Sequence, residues 1–383
     1  MAGLKLLALG GVGSIGRAAV FDALSHGSFD EIVVGDLDIA RARKLIREVG
    51  DSRLGLVKVD AGKISELRRV VKKFDVVMNA LPFRYDYLVT KACISAGVDG
   101  CDVSSTEEQL MLDGEARKKG ITFVAGVGAT PGITNIMTAK AADLLKVLEE
   151  VKICWAAFRS TAPSPGLLWT TVWEFDPENH ERVYFDGGFH HVAPFSGGEE
   201  IDFGQPIGRQ TVYYVPHPET KTLPRSFPSL RRVEVKGTWP QETMNMLRFL
   251  LDYGFYTREY IRVRGVKARP LEFIQEVLLG MPQAKKTRLW GYGLYVEAVG
   301  QMGGGRARVV MRNSHPPMER WGVTAYYNNV GIPLSIGADL IAKDAVNAKG
   351  VLPPERAYNP DMFIQELGKR EILIHHKINP QAL

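Results

Sequence analysis

Leu4-Lys5-Leu6-Leu7-Ala8-Leu9-Gly10-Gly11-Val12-Gly13-Ser14-Ile15-Gly16-Arg17-Ala18-Ala19-Val20-Phe21-Asp22-Ala23-Leu24 reads as strand, glycine turn and helix in direct succession. The apolar run 4–9 has the length of a buried strand. Gly11, Gly13 and Gly16 fit G-x-G-x-x-G. The first glycine allows the tight turn, the second lets a pyrophosphate approach the backbone, and the third lets helix pack on strand. Ser14, Ile15 and Gly16 open the helix, whose free N–H groups and partial positive charge suit an anion. A second run, Glu31-Ile32-Val33-Val34-Gly35, ends in Asp36, twenty residues after Gly16. A carboxylate there accepts hydrogen bonds from an adenine ribose. The stretch predicts a dinucleotide site.

The alternation continues outward. A polar, Arg-rich helix is expected over 39–49 and a strand over 56–59 that ends at Asp60-Ala61. Then come a helix over 64–73 and a strand over 75–80, broken after Asn79-Ala80 by Leu81-Pro82. A helix over 87–96 is closed by Gly97. A strand over 98–102 follows, then a helix to about 119 opened by a Ser105/Glu108 capping box, and a strand over 121–125. This order predicts a doubly wound parallel sheet, a Rossmann fold, with the cofactor lying across the ends of the first and fourth strands. Asp60, Ala61, Asn79, Ala80, Leu81 and Pro82 then join the cofactor side. Asp36 repels a 2′-phosphate and selects NAD, while Arg41 and Arg43 nearby keep NADP open. The turn 126–135 leads into a helix with Ile133, Ile136, Met137, Leu144, Leu145 and Leu148 on one face. At the end of the sixth strand it is placed to face the ligand crevice, although a plain glycine-rich cap gives the same pattern.

The chain of 383 residues has room for two domains, or for one carrying an insertion. A formal charge of +5, with basic groups as scattered as Lys285-Lys286-Thr287-Arg288, gives no nucleic-acid footprint. The first apolar run leads straight into a glycine turn, unlike a signal peptide, and no run approaches the ~18 apolar residues of a membrane span. Cys93, Cys101 and Cys154 lack metal-ligand spacing and fit a reducing cytoplasm, and no metal is expected.

From residue 151 the pattern changes. Strands are expected over 151–158, 167–175, 182–185, 189–194 and 210–215, with helices over 241–253 and 271–279. A hairpin over 289–299 and 306–311 turns at Gly303-Gly304-Gly305, and a helix over 332–346 leads back to the first domain. Many strands and few helices predict an inserted α+β domain with a mixed sheet. Hydride removal from an amine needs a carboxylate clamp and a proton acceptor beside the nicotinamide. His217-Pro218-Glu219-Thr220-Lys221-Thr222-Leu223-Pro224-Arg225, read as an extended, proline-stiffened loop, offers a base (His217), an acid (Glu219) and a forked cation (Arg225). A plain surface loop is the competing reading, and Arg159 and Arg232 are the alternative clamps. His190-His191 alternate across a strand. Trp169 and Trp173 share a strand face as core or pocket wall, with core the stronger reading. Asp102 either meets the substrate beside the nicotinamide or caps Ser104-Ser105 locally.

The glycine fingerprint, Asn79-Ala80-Leu81-Pro82, Cys101-Asp102-Val103-Ser104 and Pro131-Gly132-Ile133-Thr134-Asn135 together resemble the saccharopine dehydrogenase family, in particular its lysine 6-dehydrogenase-like branch. The likeness returns at Gly350-Val351-Leu352-Pro353-Pro354-Glu355. It implies an NAD(P)-binding Rossmann domain over 1–150, an inserted substrate and dimerisation domain over 151–330, and a C-terminal helical segment over 331–383. It also implies a homodimer, and a dehydrogenase that oxidises or reductively forms the C–N bond of an amino acid or secondary-amine amino acid. One departure stands out: saccharopine reductases carry an aspartate before Pro131-Gly132, where this chain has Thr130, which holds no charge. Thr130 therefore offers a hydroxyl in place of a carboxylate, and a non-catalytic dinucleotide sensor of the same fold is the alternative function.

Overall fold

The computed structural model describes residues 3–281, 290–346 and 348–380. The basic cluster 285–288 and Leu289 lie outside them. The chain divides into two compact units, one of residues 1–146 and 327–375, the other of 147–326 and 376–383.

The first unit is built on a seven-stranded parallel sheet. In spatial order its strands are Gly350–Leu352, Thr122–Val124, Asp99–Asp102, Val76–Asn79, Lys5–Leu9, Glu31–Asp36 and Leu54–Lys58. Six of them follow the sequence reading. The seventh, Gly350–Leu352, pairs in parallel with Thr122–Val124 and comes from the far end of the chain. Order reverses beside Lys5–Leu9, which pairs with both Glu31–Asp36 and Val76–Asn79, and that reversal marks the ligand crevice of such sheets. Leu7, Leu9, Val77, Phe123 and Val351 are buried together against the helices over one face. Their near-continuous apolar runs are what a sheet covered on both sides requires.

The second unit carries a mixed sheet with the main path Glu199–Asp202, Arg209–Tyr214, Arg232–Thr238, Val147–Phe158, Gly291–Met302, Gly305–Ser314 and Leu373–Pro380. Val147–Phe158 runs parallel to Arg232–Thr238 and antiparallel to Gly291–Met302. The hairpin 291–314 turns at Gly303 and Gly304, both in the left-handed region. The molecule is thus the Rossmann sheet with an inserted mixed-sheet α+β unit that its sequence predicts.

Several local readings are corrected. Residues 167–175, expected as a strand, lie mostly in the helix Pro165–Trp173, because Ser164 caps it and Pro165 occupies its first turn. Residues 217–225, expected as an extended loop, carry the helix Glu219–Ser226, which tolerates Pro224. The capping box falls one residue later, on Thr106 and Gln109, and the helix expected to run to 119 breaks into Glu107–Leu110 and Asp113–Lys119. The C-terminal segment contributes strands as well as helices.

Candidate active site

In the first unit the glycine turn is drawn tight: Gly13 N–H donates to Gly10 O at 3.0 Å, and Gly10 has φ +70°. A Cβ on Gly16 falls 2.2 Å from Gly10 O, so only glycine lets the helix Ser14–His26 approach. A Cβ on Gly13 meets a single protein atom, Gly10 O at 3.2 Å, so little in the protein itself demands a glycine there. What a side chain at Gly13 obstructs is whatever approaches the open N-terminus of the helix, which has no side-chain cap and no acidic residue in its first turn. Gly11 sits against Val34, and Ser14 and Ile15 form the first helical positions.

Asp36 ends its strand half-buried, and its Oδ1 accepts the Asp38 N–H at 2.9 Å. Arg41, exposed on the next helix, donates from Nη2 to Val12 O at 3.3 Å and so reaches back over the glycine turn. Arg43 is exposed on the same helix. Asp60 closes its own turn, where its Oδ1 accepts Gly62 N–H at 2.9 Å and Lys63 stands beside it, while Ala61 is buried. Ala80 N–H donates to Leu9 O at 3.0 Å, and a Cβ on Gly10 lies 3.0 Å from Ala80 O. The segment Asn79-Ala80-Leu81-Pro82 therefore borders the glycine turn, with Pro82 exposed at its end.

Asp102 is fully buried rather than lining an open surface. Its Oδ1 accepts Gly126 N–H at 3.0 Å and its Oδ2 accepts Gln109 Nε2 in a short hydrogen bond. Burial pushes its carboxyl up to about 7 despite these donors. These contacts tie Asp102 to Gly126 and Gln109 rather than only to the Ser104-Ser105 segment it was expected to cap. The turn beyond it is buried except for half-buried Thr130, and Gly132, at φ +130°, leaves no room for a Cβ. Asn135 holds the turn: its Oδ1 accepts Gly132 N–H at 2.8 Å, and its Nδ2 donates to Glu355 Oε2 at 2.8 Å. Glu355 explains why the C-terminal Pro-Pro-Glu motif accompanies the turn motif in sequence.

The second unit gathers another cluster at one end of three adjacent strands. Trp155 lies near the end of Val147–Phe158, Arg159 just beyond it, Trp239 just after Arg232–Thr238, and Tyr292 at the start of Gly291–Met302. Gly237 makes room for the Trp155 indole, whose ring lies 2.1 Å from where a Cβ would sit. Trp155 contacts Trp239, His217 and Tyr292 with ring centroids 5.0, 5.9 and 6.1 Å away. Arg159 is 1% exposed, its guanidinium 4.3 Å from the Trp239 ring and 5.1 Å from that of Tyr326. Its terminal nitrogens donate to Ser160 O, Thr161 O, Leu167 O and Thr171 Oγ1, and its Nε makes no well-formed hydrogen bond among the described residues.

His217 Nδ1 lies 3.1 Å from Glu219 Oε2, both nearly buried. Burial pulls the imidazole down, but the Glu219 charge and hydrogen bond outweigh it and raise its pKa. Glu174 accepts Trp239 Nε1–H at 2.7 Å, and burial pushes its carboxyl up to about 7 against the pull of His217, Arg159 and Arg182. A carboxyl raised toward neutrality and an imidazole made more basic suit the proton transfers of amine chemistry.

Arg225, by contrast, is exposed on its helix, and Arg232 pairs with Glu234 and Asp186. His190 and His191 are both exposed. Trp169 and Trp173 stack at 6.2 Å as helix neighbours four apart, with Trp169 43% exposed, so the expected strand face and the core reading of Trp169 are both corrected. The sequence reading missed Glu174, Trp239, Tyr292 and Tyr326, which belong to no motif and meet only through the sheet. Among the described residues no group of His, Cys, Asp and Glu has metal-binding geometry, and no helix is long and apolar enough to cross a membrane.

The reversed-order parallel sheet with its glycine turn defines a dinucleotide-binding fold, and the comparisons specify its class. The saccharopine dehydrogenase NADP binding domain matches residues 6–124 and the saccharopine dehydrogenase C-terminal domain matches 128–373. The chain belongs to the saccharopine dehydrogenase family and is an NAD(P)-dependent dehydrogenase. It is 24% identical to carboxyaminopropylagmatine dehydrogenase of Synechocystis sp., over 99% of this chain and 98% of that one. It is 24% identical to alpha-aminoadipic semialdehyde synthase of Arabidopsis thaliana over 35% of this chain and 13% of that one. The fold matches apo saccharopine dehydrogenase (L-Glu forming) from Saccharomyces cerevisiae, with TM-score 0.74 at 16% identity, over 98% of this chain and 100% of that one.

Proposed function

We propose that the protein oxidises, or in reverse reductively forms, the C–N bond of a secondary-amine amino acid, with NAD preferred over NADP. The observation that carries this reading is the buried acid–base cluster His217, Glu219 and Glu174, walled by Trp155 and Trp239. The names of two relatives that this chain matches over nearly their whole length support a substrate with a secondary amine and a carboxylate.

When bound, a nicotinamide would supply the hydride acceptor for the carbon attached to nitrogen. The chain's own groups do the rest. Backbone N–H groups of Ser14, Ile15 and Gly16 would hold the pyrophosphate, and Asp36 would hold the adenine ribose. His217, kept basic by Glu219, takes the proton that leaves the amine, and Glu174 can pass a proton at neutral pH. Arg159 replaces Arg225 as the preferred partner for the substrate carboxylate, because it is buried among the aromatic rings and its Nε makes no well-formed hydrogen bond among the described residues. Asp36 favours NAD through its repulsion of a 2′-phosphate, and the contact of Arg41 with Val12 occupies the arginine best placed to offset it.

A homodimer fits the second unit, where Phe249, Tyr253, Val263, Val266, Phe273 and Val277 are all exposed within 249–277. The test of function is spectrophotometric: NAD or NADP with lysine, saccharopine and N-carboxyalkyl amines, followed at 340 nm. The reading expects reduction with a carboxylated secondary amine and a lower Kd for NADH than for NADPH. Reduction by primary amino acids alone, or tighter NADPH binding, overturns the respective half.

A further inference from the structure

Two buried carboxyls in the first unit are not used by the chemistry above. Asn79 and Asp102 are register partners at the ends of adjacent parallel strands. Asn79 donates from Nδ2 to Asp86 Oδ1 at 3.0 Å, and its own Oδ1 accepts Leu81 N–H at 3.1 Å. Asp102 takes Gly126 N–H on its side chain and Val127 N–H on its carbonyl at 2.6 Å. One carboxyl therefore fixes the segment 79–82 through Asn79, and the other fixes the start of the turn 126–132. These are the segments at the carboxyl ends of the fourth and sixth strands, where the nicotinamide half of the nucleotide lies in this fold.

Both carboxyls are 0% exposed, and Asp86 Oδ2 has no well-formed hydrogen bond among the described residues. Among the described residues no cation is paired with either carboxyl, and the charge of Asp102 raises Asp86 further. Gln109 Nε2 bridges Asp102 to Thr90 Oγ1, donating to the latter at 2.9 Å, and Ser104 contributes hydrogen bonds to both carboxyls. The other titratable groups facing the pair are the thiols of Cys93 and Cys101 and the phenol of Tyr358. Burial pushes all three up, so they stay neutral through the physiological range. Two uncompensated carboxylates so placed cannot both ionise cheaply.

We propose that Asp86 and Asp102 hold one proton between them at neutral pH, and that this proton keeps segments 79–82 and 126–132 in the arrangement that binds the nicotinamide half of the nucleotide. Both are positioning residues. Loss of the proton to solvent takes the pair from one negative charge to two, and mutual repulsion then separates the segments. Nucleotide affinity is linked to one proton, so it falls by at most about tenfold per pH unit above the ionisation.

The proposal rests on nucleotide binding by the first unit, and its test keeps the two apart. Isotope-edited infrared spectroscopy of the full chain, labelled at aspartate carboxyl carbons, should show one protonated-carboxyl stretch at pH 7 that vanishes at high pH and is absent in the Asp86→Asn/Asp102→Asn double variant. NADH fluorescence titrations from pH 6 to 9 should show Kd rising with pH in the wild type and level in that double variant, whose amide oxygens keep acceptors for Asn79 and Gly126 and which carries no titratable carboxyl at either position. A purely structural role predicts weaker binding with an unchanged pH profile. Absence of the protonated band at pH 7 overturns the shared proton, and equal slopes in the two proteins overturn its link to the segments. If NADH binds at no pH, the nucleotide site is misassigned and the positioning role falls with it, while the infrared band still decides the proton.

Discussion

Gly13→Val and Gly16→Ala should separate ligand binding from folding within one turn. At Gly16 even a methyl group falls 2.2 Å from Gly10 O, 2.8 Å from Gly10 C and 2.9 Å from Gly11 Cα, all backbone atoms that cannot swing aside. The turn must shift, at a cost of about 1–3 kcal/mol or more, the range of core overpacking. At Gly13 the backbone is extended, φ −67° and ψ 164°, which valine adopts readily, and the added Cβ meets one atom at 3.2 Å. The folding cost should stay within about 1 kcal/mol, or a few degrees in Tm. The branched side chain instead blocks the pyrophosphate from the helix N-terminus. Losing two charge-assisted N–H hydrogen bonds at about 1.5–3 kcal/mol each removes ~3–6 kcal/mol of binding. That is on the order of 10²- to 10⁴-fold in Kd. NADH fluorescence titration and thermal unfolding of both variants read the two effects. A Gly13→Val protein that melts near wild type and still binds NADH with wild-type affinity refutes the site.

Glu174 has a folded pKa of about 7, raised by burial, so its contribution is fully present below its unfolded value and is lost as pH rises toward 7. Glu174→Gln should therefore be more stable than wild type at pH 8, by up to about 3 kcal/mol, with the difference fading toward pH 4 in denaturant titrations. Asn135→Ala removes the acceptor for Gly132 N–H and the donor to Glu355, and should cost about 2–4 kcal/mol by chemical denaturation. Arg225→Ala should leave kcat/KM near wild type, while Arg159→Lys, which keeps charge but not the guanidinium plane, should lower it by at least tenfold, chiefly through KM. Phe273→Glu on the exposed apolar helix face should shift the protein toward monomer in light scattering.

How much was legible in the sequence follows from which forces are local. The glycine turn, Asp36 and the first six parallel strands declare themselves because strand, turn and helix each carry their own signal within about ten residues. The strand Gly350–Leu352 is three residues long and is specified by a partner more than two hundred residues away, so periodicity does not reveal it. Residues 167–173 look like a strand because Trp, Thr and Val favour one, yet Ser164-Pro165 is a helix start and fixes the outcome. The strand Arg232–Thr238, which contains Glu234 and Lys236, was not expected from the sequence. Both are buried there through ion pairs with Arg232 and Glu199, which sequence spacing does not disclose. The same limit hid the second cluster: Trp155, Glu174, Trp239 and Tyr292 are far apart in sequence and adjacent only after the sheet forms. His217 and Glu219 were visible as chemistry, but their burial and pairing were not.

The most direct test of the central claim is where the hydride comes from. A carboxylated secondary amine bearing deuterium on the carbon attached to nitrogen is incubated with the protein and NAD, and the reduced nucleotide is analysed by mass spectrometry. The account predicts one deuterium carried to the nicotinamide ring, with release of an amine and a carbonyl product. Reduced nucleotide without deuterium, or no reduction by any carboxylated secondary amine while NADH binds normally, contradicts it.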